Sequence, residues 1–120
     1  VNMSAKLYDF AYELEKGIRE SNEYVELKQL IEAVYHDKKK KKMFDHFREL
    51  QLQLQQKQMM GHQITQEEID HAQKQLMQVQ QHPTISKLME AEQRLSLLFG
   101  ELNKIIMKPL EELYGLPKAK

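Results

Sequence analysis

The chain contains no cysteine. That excludes disulfides, thiolate-held metals and cysteine-held iron–sulfur clusters, and it fits a reducing, cytosolic setting. Net charge is also missing: 18 basic and 18 acidic residues cancel, so no general attraction to nucleic acid or anionic lipid exists and any such affinity must be local. No long apolar run occurs. The longest, Leu97-Leu98-Phe99, is far too short to span a bilayer. The first residues, VNMSAKLYDF, lack a basic segment followed by an apolar one, so no secretory signal is expected. Gly 4 and Pro 3 are scarce, and Val, Thr and Phe are too sparse to build a sheet.

What is present is helix-forming. Leu, Glu, Lys, Gln and Met dominate, and their unbranched side chains lose little freedom in a helix. With 120 residues, 41% hydrophobic and 30% charged, the chain has the length of one domain and a thin core.

Five helical segments follow from the periodicity. The first covers about 4–19, with Leu7, Phe10, Ala11, Leu14 and Ile18 on one face. Ser21 offers an N-cap for a second, running to about His36, with Tyr24, Leu27, Ile31 and Val34 as its stripe. Asp37 can cap a third, about 38–60, directing Met43, Phe47, Leu50 and Leu54 inward, and Gly61 stands where a left-handed residue closes a helix. Thr65 and Glu68 have the spacing of a capping box: the hydroxyl accepts from the backbone three residues on, and the carboxylate reaches back. That box opens a fourth helix to about Gln81, with Ile69, Ala72, Leu76 and Val79 inward. Pro83 marks a break or a first helical turn. From Thr84 the pattern is helical to about Met107, or to Tyr114 if it passes Pro109, which should kink or end it. Gly115 and Pro117 stop the helix, and 118–120 form a frayed tail. The expected fold is all-α. It is a single bundle-like domain over 1–120, with an antiparallel hairpin of the third and fourth helices and a long C-terminal helix.

The stretches MFDHFRELQLQLQQKQMMGHQITQEEIDHAQK and LMEAEQRLSLLFGELNKIIMKPLEELYG resemble the YheA branch of the YheA/YmcA/YlbF family of small helical proteins from Gram-positive bacteria. The likeness covers nearly the whole chain and is most specific from Leu88 to Gly115. It implies a helical fold, a cytosolic location and a homodimer. Relatives in the YlbF and YmcA branches are linked to competence, biofilm formation and RNA processing, as parts of a complex. Some of those relatives hold an iron–sulfur cluster on cysteines, which this chain does not have.

Four features bear on chemistry. Glu68 and His71 form one Glu-x-x-His pair, the spacing that supplies metal ligands in helical bundles. A second copy is lacking, and His71 falls well outside the apolar stripe, so an exposed polar face is expected and no metal site. The histidines His36, His46, His62, His71 and His82 are scattered, the four serines lie in no nucleophile turn, and no Gly-rich phosphate loop is present. No enzyme is called for and no cofactor is expected. The run Lys38, Lys39, Lys40, Lys41, Lys42 is a candidate polyanion patch for RNA or an acidic partner, but a solvated helix end explains it better, since positive charge there opposes the macrodipole.

The last helix is the most informative. Leu88, Leu95 and Leu102 fall seven apart, and Leu98 with Ile105, and Phe99 with Ile106 and Leu113, add further columns. A helix resting on one neighbour needs an apolar stripe of roughly 100°; this band is wider. A helix over 84–114 would also be about 45 Å long, against a radius of gyration near 14 Å for a compact chain of this size. Leu88, Leu95, Leu98, Phe99, Leu102, Ile105 and Ile106 are therefore the candidate interface of a homodimer, or of a protein partner in a regulatory complex. The reading is a non-enzymatic interaction protein. The alternatives are an RNA-processing accessory factor that uses the lysine run, and a cryptic metal protein or enzyme.

Overall fold

A computed structural model describes residues 3–115. Those residues form α1 (Met3–Glu20), α2 (Asn22–Tyr35), α3 (Lys38–Met59), α4 (Gln66–Gln80) and α5 (Pro83–Tyr114). Among them there is no strand. The fold is all-α, as the composition requires. The frayed tail expected at 118–120, and Pro117, lie outside the described residues.

The joints are set by local chemistry. The Ser21 hydroxyl accepts from the Tyr24 backbone N–H and caps α2, while donating back to the Ile18 carbonyl at 2.6 Å. One non-helical residue thus separates α1 from α2. Asp37 caps α3 by accepting from the N–H groups of Lys39 and Lys40. Gly61, at φ 75°, ends α3 in a Schellman turn. The His62 N–H reaches the Lys57 carbonyl at 2.8 Å, and the Gly61 N–H reaches Gln58 at 3.1 Å. The Thr65–Glu68 capping box is present in both directions. Pro83 opens α5 in its first turn, where its missing N–H is harmless.

The core is drawn from four helices and excludes the first. Val34, Phe44, Phe47, Val79, Ile85 and Leu88 form one buried cluster, with Leu27, Leu30, Ile31, Met43, Leu76 and Met89 packed around it. The most extensive helix pair is α2 on α5; α3 and α4 form the expected hairpin. Phe44 and Phe47 stand one turn apart on α3, so both reach the same core. Ile69, expected inward, is exposed. It lies one turn from the hairpin tip, where α4 has not yet come under the other helices.

Two features concern the first and last helices. Pro109 does not terminate α5, which runs unbroken for 32 residues to a left-handed Gly115. Proline deprives the carbonyl four residues back, that of Ile105, of its partner. Ile105 is exposed, so water can satisfy that carbonyl. In addition, α1 is not packed into the bundle. From Ser4 to Glu20, every residue except Ile18 is exposed. The chain is therefore elongated, with a radius of gyration of 18.9 Å and extents of 55 × 37 × 25 Å. A compact chain of this length would have a radius near 14 Å.

Candidate functional site

Helix α1 carries a regular apolar stripe that the other described helices leave largely uncovered. Leu7 is 68% exposed and Phe10 61%, and Leu14 is exposed as well. These residues recur every three or four positions, so they line one side of the helix. Only Ile18, the residue of the stripe nearest the Ser21 joint, is half-buried.

Helix α5 changes character along its length. Its first half supplies Ile85, Leu88 and Ala91 to the core. Leu95, Leu98 and Leu102 are half-buried. Phe99, Ile105, Ile106, Met107, Leu110 and Leu113 are exposed, Ile105 at 69% and Leu113 at 82%. Of the seven residues of the sequence band, Leu88 belongs to the chain's own core. Leu95 and Leu98 sit half-buried at the end of the packed half, and Phe99, Leu102, Ile105 and Ile106 run along the half that leaves the bundle. The width of the band has two causes: one side packs on α2, and the other is bare.

The two bare faces converge. Ala11, Leu14 and Ile18 of α1, Tyr24 of α2, and Leu95 and Phe99 of α5 line an open, mainly apolar groove of about 470 Å³. The α1 half of this surface was legible as a stripe at Leu7, Phe10, Ala11, Leu14 and Ile18. Periodicity placed these residues on one face and went no further, because a stripe shows which side of a helix is apolar and not what covers it.

The polar candidates sit elsewhere. Glu68 is held by the Lys57 ammonium across the hairpin and by the Thr65 backbone N–H. These contacts, Lys57 first, keep its carboxyl below the usual range. His71 is exposed on the next turn of α4. It lines a second groove, of about 770 Å³, with Lys39, Lys42, His46 and Leu50 of α3. Among the described residues no three histidine or acidic side chains stand close enough to hold a metal ion.

The lysine run does not form one face. Five successive residues at about 100° each go right round a helix. Lys41 is bound to Asp45 at 2.8 Å and stands over the Tyr35 ring at 5.0 Å. The Asp45 carboxylate, by hydrogen bond and then by charge, raises the Lys41 pKa. Lys39 and Lys42 turn toward the α3–α4 groove. Lys38 lines a smaller hollow with Lys41, Lys42, Asp45, His46 and Glu49. No described helix is long and apolar enough to cross a membrane.

Fold and surface together define a small all-helical protein whose most distinctive feature is a pair of bare apolar helix faces. The family model described as control of competence regulator ComK, YlbF/YmcA, matches residues 7–111, and YheA of Bacillus subtilis, a UPF0342 protein, is 60% identical over 94% of this chain and 97% of its own length. The chain belongs to the YlbF/YmcA family, in its YheA branch. Two solved structures agree. A protein of unknown function (DUF964) from Bacillus stearothermophilus superposes with a TM-score of 0.81 at 40% identity, covering 91% of this chain and 96% of the other. The structure of yheA from Bacillus subtilis gives 0.70 at 49% identity, covering 95% and 100%. The matched family is described by the control of the competence regulator ComK.

Proposed function

We propose that this chain is a non-catalytic, cytosolic regulatory protein that acts by protein–protein contact as a homodimer, within the control of competence for which its family is described. One observation carries the reading: a connected apolar surface on α1 and on α5 beyond Phe99, left bare by the chain's own bundle. A soluble monomer rarely exposes a contiguous apolar patch of that extent. A standard interface takes roughly 800 Å² from each partner, and eight large apolar side chains, each near half exposed or more, supply most of it. Sedimentation equilibrium tests the reading. The expected mass is twice 14.3 kDa. Ile105→Asp should give a folded monomer, because Ile105 touches little in its own chain but would place a charge in a desolvated seam. A wild-type monomer at tens of micromolar would overturn it.

A further inference from the structure

We infer that the dimer is arm-exchanged: α1 of each copy lies antiparallel along the projecting half of α5 of the other copy. This rests on the homodimer reading and adds which helix meets which. Three observations carry it.

The first is register. Run antiparallel, α1 and the end of α5 match layer for layer. Ile18 falls opposite Phe99, Leu14 opposite Leu102, Ala11 opposite Ile106 and Leu7 opposite Leu110, since Leu7 and Ile18 are as far apart in sequence as Phe99 and Leu110. Phe10 and Ile105 flank the third layer. Each of these layers sets apolar against apolar, and in most of them at least one member is exposed in the single chain.

The second is length. With 18 residues, α1 measures about 27 Å at 1.5 Å per residue, and residues 99–114 of α5 measure about 24 Å. Each bare helix is as long as the surface it would cover.

The third is the joint, which decides between a second copy and the chain's own α5. Only Ser21 links α1 to α2, and it is fixed from both sides: its hydroxyl donates to the Ile18 carbonyl and accepts from the Tyr24 N–H. Its own N–H also reaches Ile18, at 3.1 Å. Helix α2 is in turn packed on α5. The direction in which α1 leaves is therefore set, and along that direction Leu7 and Phe10 stay bare while the groove between α1 and α5 stays open. Closing α1 onto its own α5 would require the chain to turn at Ser21, where these hydrogen bonds hold it. A second copy fills the groove with the cap intact.

The absence of cysteine makes a clean test available. Leu7→Cys and Leu110→Cys are made in separate proteins, one carrying a mass tag. They are mixed and treated with a bifunctional thiol reagent spanning about 10 Å, the axis separation of packed helices. The expected product is a covalent pair containing one chain of each kind. A mixture of Leu7→Cys with Met59→Cys, at the hairpin tip, should give none. Sedimentation of the same samples separates the possible failures. A dimer without the Leu7–Leu110 product would overturn the exchange and leave the homodimer reading standing. A monomer would overturn both. Linkage confined within single chains of the double variant Leu7→Cys/Leu110→Cys would show α1 closing on its own α5 and would also overturn the exchange.

Discussion

Lys57 and Glu68 meet across the α3–α4 turn, joining the last turn of one helix to the first turn of the next. Glu68 is also the return arm of the capping box on Thr65. One carboxylate thus stops a backbone donor from being orphaned and closes the hairpin. The Glu-x-x-His spacing that could suggest a metal ligand has a structural explanation in this residue.

The pH dependence of the hairpin follows from that pair. The folded state holds the Glu68 carboxyl below its ordinary value, first through the Lys57 hydrogen bond and then through the Thr65 N–H. A lowered carboxyl pKa stabilises the fold fully above the unfolded value of about 4.3. That contribution is lost as pH falls through the folded value. Lys57→Met should raise the Glu68 pKa toward the ordinary range and flatten the acid side of the stability curve. NMR titration of the Glu68 carboxyl, with thermal melts across the acid range, checks both. An unmoved Glu68 pKa would contradict the pairing.

The cap itself is tested at Thr65. Thr65→Ala leaves the Glu68 N–H without its acceptor and should cost about 1 kcal/mol. Thr65→Ser keeps the hydroxyl and should be nearly silent. Chemical denaturation distinguishes them.

Gly61 tests the other end of the turn. A Cβ there would meet nothing within 4 Å, so space is no obstacle, but φ is +75°. Gly61→Ala should cost roughly 1–2 kcal/mol, the penalty of a left-handed L-residue, and Gly61→Asn distinctly less. Equal loss in both would point to packing instead of backbone.

The lysine run is expected to be inert toward RNA. Its charges point round the helix, and Lys41 is committed to Asp45. Replacing Lys39, Lys40 and Lys41 with Gln should leave single-stranded RNA binding negligible and raise stability slightly, since cations at a helix start oppose the dipole. Fluorescence anisotropy in a salt series reads this. Sub-micromolar binding that vanishes in the variant, with a salt slope reduced by about 0.7 per lost contact, would favour an RNA-associated role instead.

The sequence by itself determined the local structure. The helices, the Ser21, Asp37 and Thr65 caps, the Gly61 turn and the stripes were all legible, because each depends on residues within one or two turns of one another. It also showed, through the width of the band on α5, that one neighbour could not cover that helix. The tertiary structure decided which stripe was buried and by what. It placed Leu88 in the core and Ile105 outside it, though both belong to one apolar band. It left Leu7 and Phe10 bare and carried α5 past Pro109. Those outcomes depend on the angle at Ser21 and on where α2, α3 and α4 end along α5. Periodicity records the apolar side of a helix; only the placement of distant elements determines whether that side meets its own chain.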